Sequence, residues 1–97
     1  MTIYFVSRHP GATAWAQEEG IAVDQQLDHM DINLIRTGDT VIGSLPVNLA
    51  AEVCARGARY LHMSINLPAR LRGVELSVDQ MRECSARLEE FSIKQMG

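Results

Sequence analysis

The sequence predicts an α/β fold in which a mostly parallel sheet carries helices on its faces, in a small Rossmann-like layout. Short apolar segments of strand length alternate along the chain with segments of helical periodicity. The first apolar segment, residues 2–6, has no polar face, which is typical of a central strand covered on both sides. We expect three layers with about four strands and about three helices, in a single domain over residues 1–97.

The first half of the chain predicts three strands and one helix. That helix begins at Pro10 and ends at Gly20, because proline suits a first helical turn and glycine ends helices. Residues 23–30 alternate between apolar and polar side chains, which predicts an edge strand, and this strand could run antiparallel. Residues 40–43 follow a Gly-Asp turn and predict the third strand.

The second half predicts a helix, a strand and a closing helix. Pro46 lies just inside the start of the first of these, and Gly57 ends it. Residues 59–65 predict the fourth strand, with alternate side chains on opposite faces. The closing helix begins at Ser77, which forms a capping box with the glutamine three residues later, and its apolar spacing continues to Phe91.

Composition narrows the class of protein. The chain is 46% hydrophobic and 22% charged, which is ordinary for a globular protein, and its formal net charge of −3 argues against a general nucleic-acid coat protein. We therefore expect no direct binding of duplex nucleic acid. Cys54 and Cys84 lack partners at metal-ligand spacing and predict reduced thiols. Since no leader or membrane-spanning run is evident, we expect a cytoplasmic protein without membrane contact.

Three segments follow predicted strands and enter helices or the irregular connector, residues 66–76. They are residues 7–11, residues 43–48 and residues 66–72. If the strands are parallel, these segments meet at one edge of the sheet, where open α/β sheets bind ligands. Helix N-termini there present free N–H groups, so an anion such as a phosphate is the expected ligand.

Each segment offers groups that suit a phosphodiester. Arg8 can pair with phosphate oxygens, and His9 can move a proton. Gly43 permits close backbone approach, and Ser44 lies near the start of a helix. The other candidate ligand-binding residues are Gly11, Leu45, Pro46, Asn48, Asn66, Arg70 and Arg72. Each residue taken singly also has an ordinary role, as a helix cap or a solvated surface charge.

The histidines do not form a metal site in the sequence. They lie far apart, and no carboxylates accompany them at ligand spacing. His62 lies in the middle of a strand and is expected to be structural. The chain also has neither a Walker motif nor GxGxxG. We therefore expect no metal and no cofactor.

Four stretches of the chain resemble a family of small CRISPR-associated proteins that accompany type III systems. These are residues 4–12, 38–50, 56–62 and 72–77. The resemblance implies a CARF-like, Rossmann-like ring nuclease that acts as a homodimer on a cyclic oligoadenylate, above all cyclic tetra-adenylate. It also implies metal-independent cleavage that switches off antiviral signalling.

In that reaction the substrate's own 2′-hydroxyl is the nucleophile, and the products are linear adenylates with a 2′,3′-cyclic phosphate. Arg8 would stabilise charge in the transition state, and His9 would carry a proton. Ser7 and Ser44 would hold the phosphate.

Other functions remain open. A binding module that senses or sequesters the ring would use the same residues without turnover. A histidine phosphatase is disfavoured, because Pro10 interrupts the Arg-His-Gly motif and the chain is short. A structural subunit that binds a larger complex through its last helix is the third alternative.

Overall fold

The computed structural model describes residues 1–97 and contains a five-stranded sheet with three α-helices. The strands are β1 (Ile3–Val6), β2 (Gln25–Leu27), β3 (Thr40–Gly43), β4 (Arg59–Ser64) and β5 (Arg87–Phe91). The helices are α1 (Pro10–Glu18), α2 (Val47–Ala55) and α3 (Val78–Glu83). Single 3₁₀ turns cover Ile32–Leu34 and Ala69–Leu71. The predicted α/β fold is confirmed.

The strand order is β2-β1-β3-β4-β5, and every neighbouring pair is parallel except β4 and β5. β2 lies at an edge as predicted, but it pairs in parallel with β1, so the antiparallel alternative is wrong. The chain leaves β1 for β2 on one side and returns as β3 on the other. The direction of winding therefore reverses between β1 and β3, which is where doubly wound sheets bind ligands.

Two apolar cores lie on opposite faces of the sheet. Tyr4, Val41 and Tyr60 belong to the core beneath α2, whereas Phe5 and Ile42 belong to the core beneath α1 and α3. This alternation follows from the two-residue period of a strand, which sends successive side chains to opposite faces. The layers thus match the prediction, and the central strands β1 and β3 are covered on both sides.

The prediction of a closing helix that continues to Phe91 is wrong. The capping box at Ser77 is present, with Gln80 N donating to Ser77 Oγ at 3.2 Å, but α3 ends at Glu83. Ser85 then takes a positive φ of 59°, and the chain returns as β5, antiparallel to β4. The apolar spacing fits a helix, but the chain turns at Ser85, and the backbone of residues 87–91 pairs with β4 instead of continuing α3.

A buried carboxylate fastens the opposite, amino-terminal edge of the sheet. Asp39 Oδ1 accepts a hydrogen bond from Thr2 N at 2.9 Å, and Asp39 Oδ2 accepts one from Arg36 N at 2.9 Å. These two hydrogen bonds hold the pKa of Asp39 below its usual range. Asp39 therefore joins the start of β1 to the turn before β3.

Candidate functional site

The candidate site lies at the carboxyl edge of the sheet, where the winding direction reverses. The β1–α1 loop, residues 7–9, and the β3–α2 loop, residues 44–46, flank this point. The connector after β4 leaves from the same edge, because β1, β3 and β4 are parallel. The structure therefore brings the three predicted segments to one edge.

The β1–α1 loop is a tight turn that presents its side chains to solvent. Ser7 Oγ accepts a hydrogen bond from His9 N at 3.1 Å, and His9 caps α1 without using its imidazole. Arg8 is exposed and forms neither a salt bridge nor a hydrogen bond through its side chain. Both the guanidinium of Arg8 and the imidazole of His9 are thus available to a ligand.

Two hydrogen bonds tie the β3–α2 loop to β4. Ser44 Oγ donates to Met63 O at 3.1 Å, and Leu45 N donates to Tyr60 Oη at 2.9 Å. Tyr60 Oη also lies 3.1 Å from Gly43 O and 2.6 Å from His62 Nδ1. Burial raises the pKa of Tyr60, so its hydroxyl stays protonated at neutral pH. This hydroxyl fixes the turn that carries Ser44.

Between α1, the end of β4 and the connector lies a cleft of about 530 Å³, which we call the apolar cleft. Eight of its twelve lining residues are hydrophobic, including Met63 from β4 and Met81 from α3. His9 and Ser44 line it as well, and Leu67 and Leu71 belong to the segment 66–72, so all three predicted segments contribute to one concave site. A mostly apolar pocket with a few polar groups is typical of small-ligand sites.

Arg8 lies beside this cleft and not inside it. Together with Ser7, Gln26 and Asp28 it lines a neighbouring hollow of about 350 Å³, and His9 lines both depressions. Gln26 Nε2 donates to Ser7 O at 3.1 Å, which ties β2 to the loop. His9 is therefore the residue that joins the polar hollow to the apolar cleft.

Four of the connector residues line a third hollow. The candidates Asn66 and Arg70 lie there near Glu83, together with Leu67, which also lines the apolar cleft. Asn66 Oδ1 accepts from Arg87 Nη1 at 3.4 Å, which links the connector to β5. Arg72 is exposed and unpaired, like Arg70. The structure therefore does not gather the connector arginines with Arg8 in one pocket.

Three of the remaining five candidate residues have packing roles in this structure. Gly11 packs against the carbonyl group of Leu76, and Gly43 packs against Val6 O, so neither position has space for a side chain. Leu45 is partly buried against the core beneath α2. The last two candidates are exposed: Pro46 caps α2, and Asn48 lies in its first turn.

The chain matches, over residues 4–94, the family model described as "Putative CRISPR-associated protein (Cas_VVA1548)". The chain belongs to this family. No curated protein and no solved structure is detectably similar to this Cas_VVA1548 protein. None of its α-helices has the length and hydrophobicity needed to cross a membrane, and no three His, Cys, Asp or Glu side chains cluster as metal ligands would.

Sequence reasoning missed two features of the Cas_VVA1548 protein's site. One is the anchoring role of Tyr60, which depends on hydrogen bonds to residues 15 to 17 positions away in the chain. The other is the apolar cleft itself. The alternation along the fourth strand did place Met63 and Ile65 on one face, and this was the available signal for an apolar wall.

Proposed function

We propose that this CRISPR-associated protein binds a cyclic oligoadenylate at the carboxyl edge of its sheet and cleaves it. The observation that carries the proposal is that His9 and Ser44, from two different loops, line one cleft at the point where the winding reverses. The unpaired Arg8 lies next to it. The whole-chain resemblance to small type III CRISPR-associated proteins supplies the substrate class, with cyclic tetra-adenylate as the expected ring.

Cleavage needs no nucleophile from the protein. The ribose 2′-oxygen attacks the adjacent phosphorus, the bond from phosphorus to the 5′-oxygen breaks, and a 2′,3′-cyclic phosphate and a 5′-hydroxyl form. One proton leaves the 2′-oxygen, and one reaches the 5′-oxygen. His9 carries a proton in this exchange, and Arg8 stabilises the negative charge that develops on the phosphoryl oxygens.

The local structure supports these roles. The Ser7 hydroxyl accepts from the His9 amide and keeps its own proton free for a phosphate oxygen. Ser44 Oγ donates its proton to Met63 O, so its oxygen can accept from a ribose hydroxyl and does not donate to the phosphate as expected. The N-terminus of α1 favours an anion. A homodimer would present each of these groups twice to a two-fold-symmetric ring.

The decisive experiment incubates purified protein with cyclic tetra-adenylate in the presence of EDTA, with the protein in molar excess over the ring. We expect linear adenylates that end in a 2′,3′-cyclic phosphate, identified by mass spectrometry. An intact ring that co-elutes with the protein would reject cleavage and support a protein that sequesters the ring. An intact ring that does not bind would overturn the proposal altogether.

A further inference from the structure

We propose that the apolar cleft is a nucleobase pocket, and that Glu75 makes it selective for a base with an exocyclic amino group. Under the proposed function, on which the identity of the ligand rests, that base is adenine. The pocket is lined by His9 and Ser44 of the phosphate-binding loops, but its apolar walls come from α1, the end of β4, α3 and the connector. It therefore adds a second recognition element to the site at the sheet edge.

The walls of the cleft suit a flat aromatic ring. Met63 and Ile65 contribute from the end of β4, Leu71 and Val74 from the connector, and Met81 from α3. No Phe, Tyr or Trp side chain lines the cleft. Thioether groups pack favourably against aromatic rings and adapt to their shape, so the two methionines favour a heterocycle over an alkyl chain. The volume of about 530 Å³ is within the range of small-molecule pockets.

Glu75 is the carboxylate of the cleft. Its side chain is exposed at the cleft and forms no salt bridge or hydrogen bond with another protein group. An ionised carboxylate only accepts hydrogen bonds, so its complement is an N–H donor on the ligand. A base that covers Glu75 without offering a donor leaves the carboxylate desolvated and unpaired, which is costly. The 6-amino group of adenine offers two N–H donors.

The position of the pocket connects it to the chemistry. His9 and Ser44 line the same cleft, so a base held there brings its ribose and phosphate to the two loops. Base binding would then orient the reacting 2′-oxygen, because restricting the nucleotide to one arrangement raises the rate of an attack that depends on alignment.

Methionine-methyl NMR tests occupancy of the pocket without relying on cleavage. The protein is labelled with ¹³C at its methionine methyl groups and titrated with cyclic tetra-adenylate and, separately, with adenosine 5′-monophosphate. Met63 and Met81 should shift through the ring current of the base. Met30, which packs under the other face, and Met96, which is 87% exposed, are internal controls and should not move.

Selectivity is tested with purine riboside 5′-monophosphate, which lacks only the 6-amino group. The wild-type protein should bind adenosine 5′-monophosphate about tenfold more tightly, near the lower end of the effect of a hydrogen bond to a charged group, because Glu75 is exposed. Glu75→Ala should abolish this preference, while Glu52→Ala, an exposed position on α2, should retain it.

The two proposals fail in different ways. Shifts of the Met63 and Met81 methyl signals without any cleavage would support the nucleobase pocket and reject the nuclease activity. Cleavage of the ring with no shift of either methyl group, in either titration, would overturn the pocket and retain the nuclease. A preference for the amino group that survives Glu75→Ala would overturn the role of Glu75.

Discussion

Gly11 in the first turn of α1 packs directly against the backbone carbonyl of Leu76, at the end of the connector. This contact fixes one end of the segment that covers the apolar cleft. The other end is fixed where Asn66 N donates to Cys84 O at 2.8 Å. The connector is thus fixed at both ends, and the residues between these contacts, including Val74 and Glu75, line the cleft together with His9.

Gly11→Ala is expected to destabilise the protein by about 1–3 kcal/mol, because a methyl group cannot fit against Leu76 without movement of the backbone. Urea denaturation measures the loss. Gln17→Ala, an exposed change in the same helix, serves as the control and should have little effect. Equal stability of Gly11→Ala and wild type would show that the connector is not anchored at this contact.

Arg8→Ala is expected to slow cleavage of cyclic tetra-adenylate at least about tenfold, the effect of losing one contact to the charged transition state. Single-turnover rates under EDTA measure this directly. Arg56→Ala removes an exposed arginine at the far end of α2 and should leave the rate unchanged. A wild-type rate for Arg8→Ala would refute the central role of this guanidinium.

His9→Ala should reduce cleavage less than Arg8→Ala does and should alter the dependence of the rate on pH, because the lost group transfers a proton. The fold should persist, since the cap of α1 does not use the imidazole. Rates measured across a pH series test this, with His29→Ala at an exposed position as the control. An unaltered pH profile would contradict proton transfer by His9.

Asp39→Asn is expected to lower stability at neutral pH and to lose that effect in acid. The hydrogen bonds from Thr2 and Arg36 lower the pKa of Asp39 in the folded protein. The folded protein therefore binds fewer protons than the unfolded chain does. The stabilisation is therefore complete above the unfolded pKa of about 4 and declines as the pH falls through the lower native value. Denaturation midpoints of both proteins between acid and neutral pH should converge at the acid end.

Tyr60→Phe is expected to loosen the β3–α2 loop by removing the partner of Leu45 N. The variant should also lack the decline in stability that the wild-type protein shows at alkaline pH. Because burial raises the pKa of Tyr60, the unfolded chain ionises first, and stability declines as the pH rises above about 10. Stability curves that fall equally in the variant and in wild type above that pH would contradict this assignment.

Local patterns predicted the early part of the fold well. The apolar segment that became β1 has no polar face, and Pro10 and Gly20 mark where α1 begins and where the chain turns after it. These features act over a few residues, so propensity and periodicity are enough to find them. The meeting of three loops at one edge also followed, because it needs only parallel strands.

The candidate site could be predicted only in part. The sequence pointed to Arg8, His9 and Ser44, but it could not show that Arg8 faces a different hollow from the other two. That separation depends on side-chain packing against β2 and the connector, which local pattern does not encode. The same holds for Glu75, which the fold places beside an apolar cleft while leaving it exposed.

The sequence by itself determined the layers of the fold, the capping box at Ser77 and the loops that carry the chemistry, because each depends on neighbouring residues. The tertiary structure alone decided that residues 87–91 form a strand, since their backbone pairs with β4, a segment distant in the sequence. It alone also brought His9, Ser44 and Glu75 into one cleft, because contacts between distant segments form only when the sheet and helices pack.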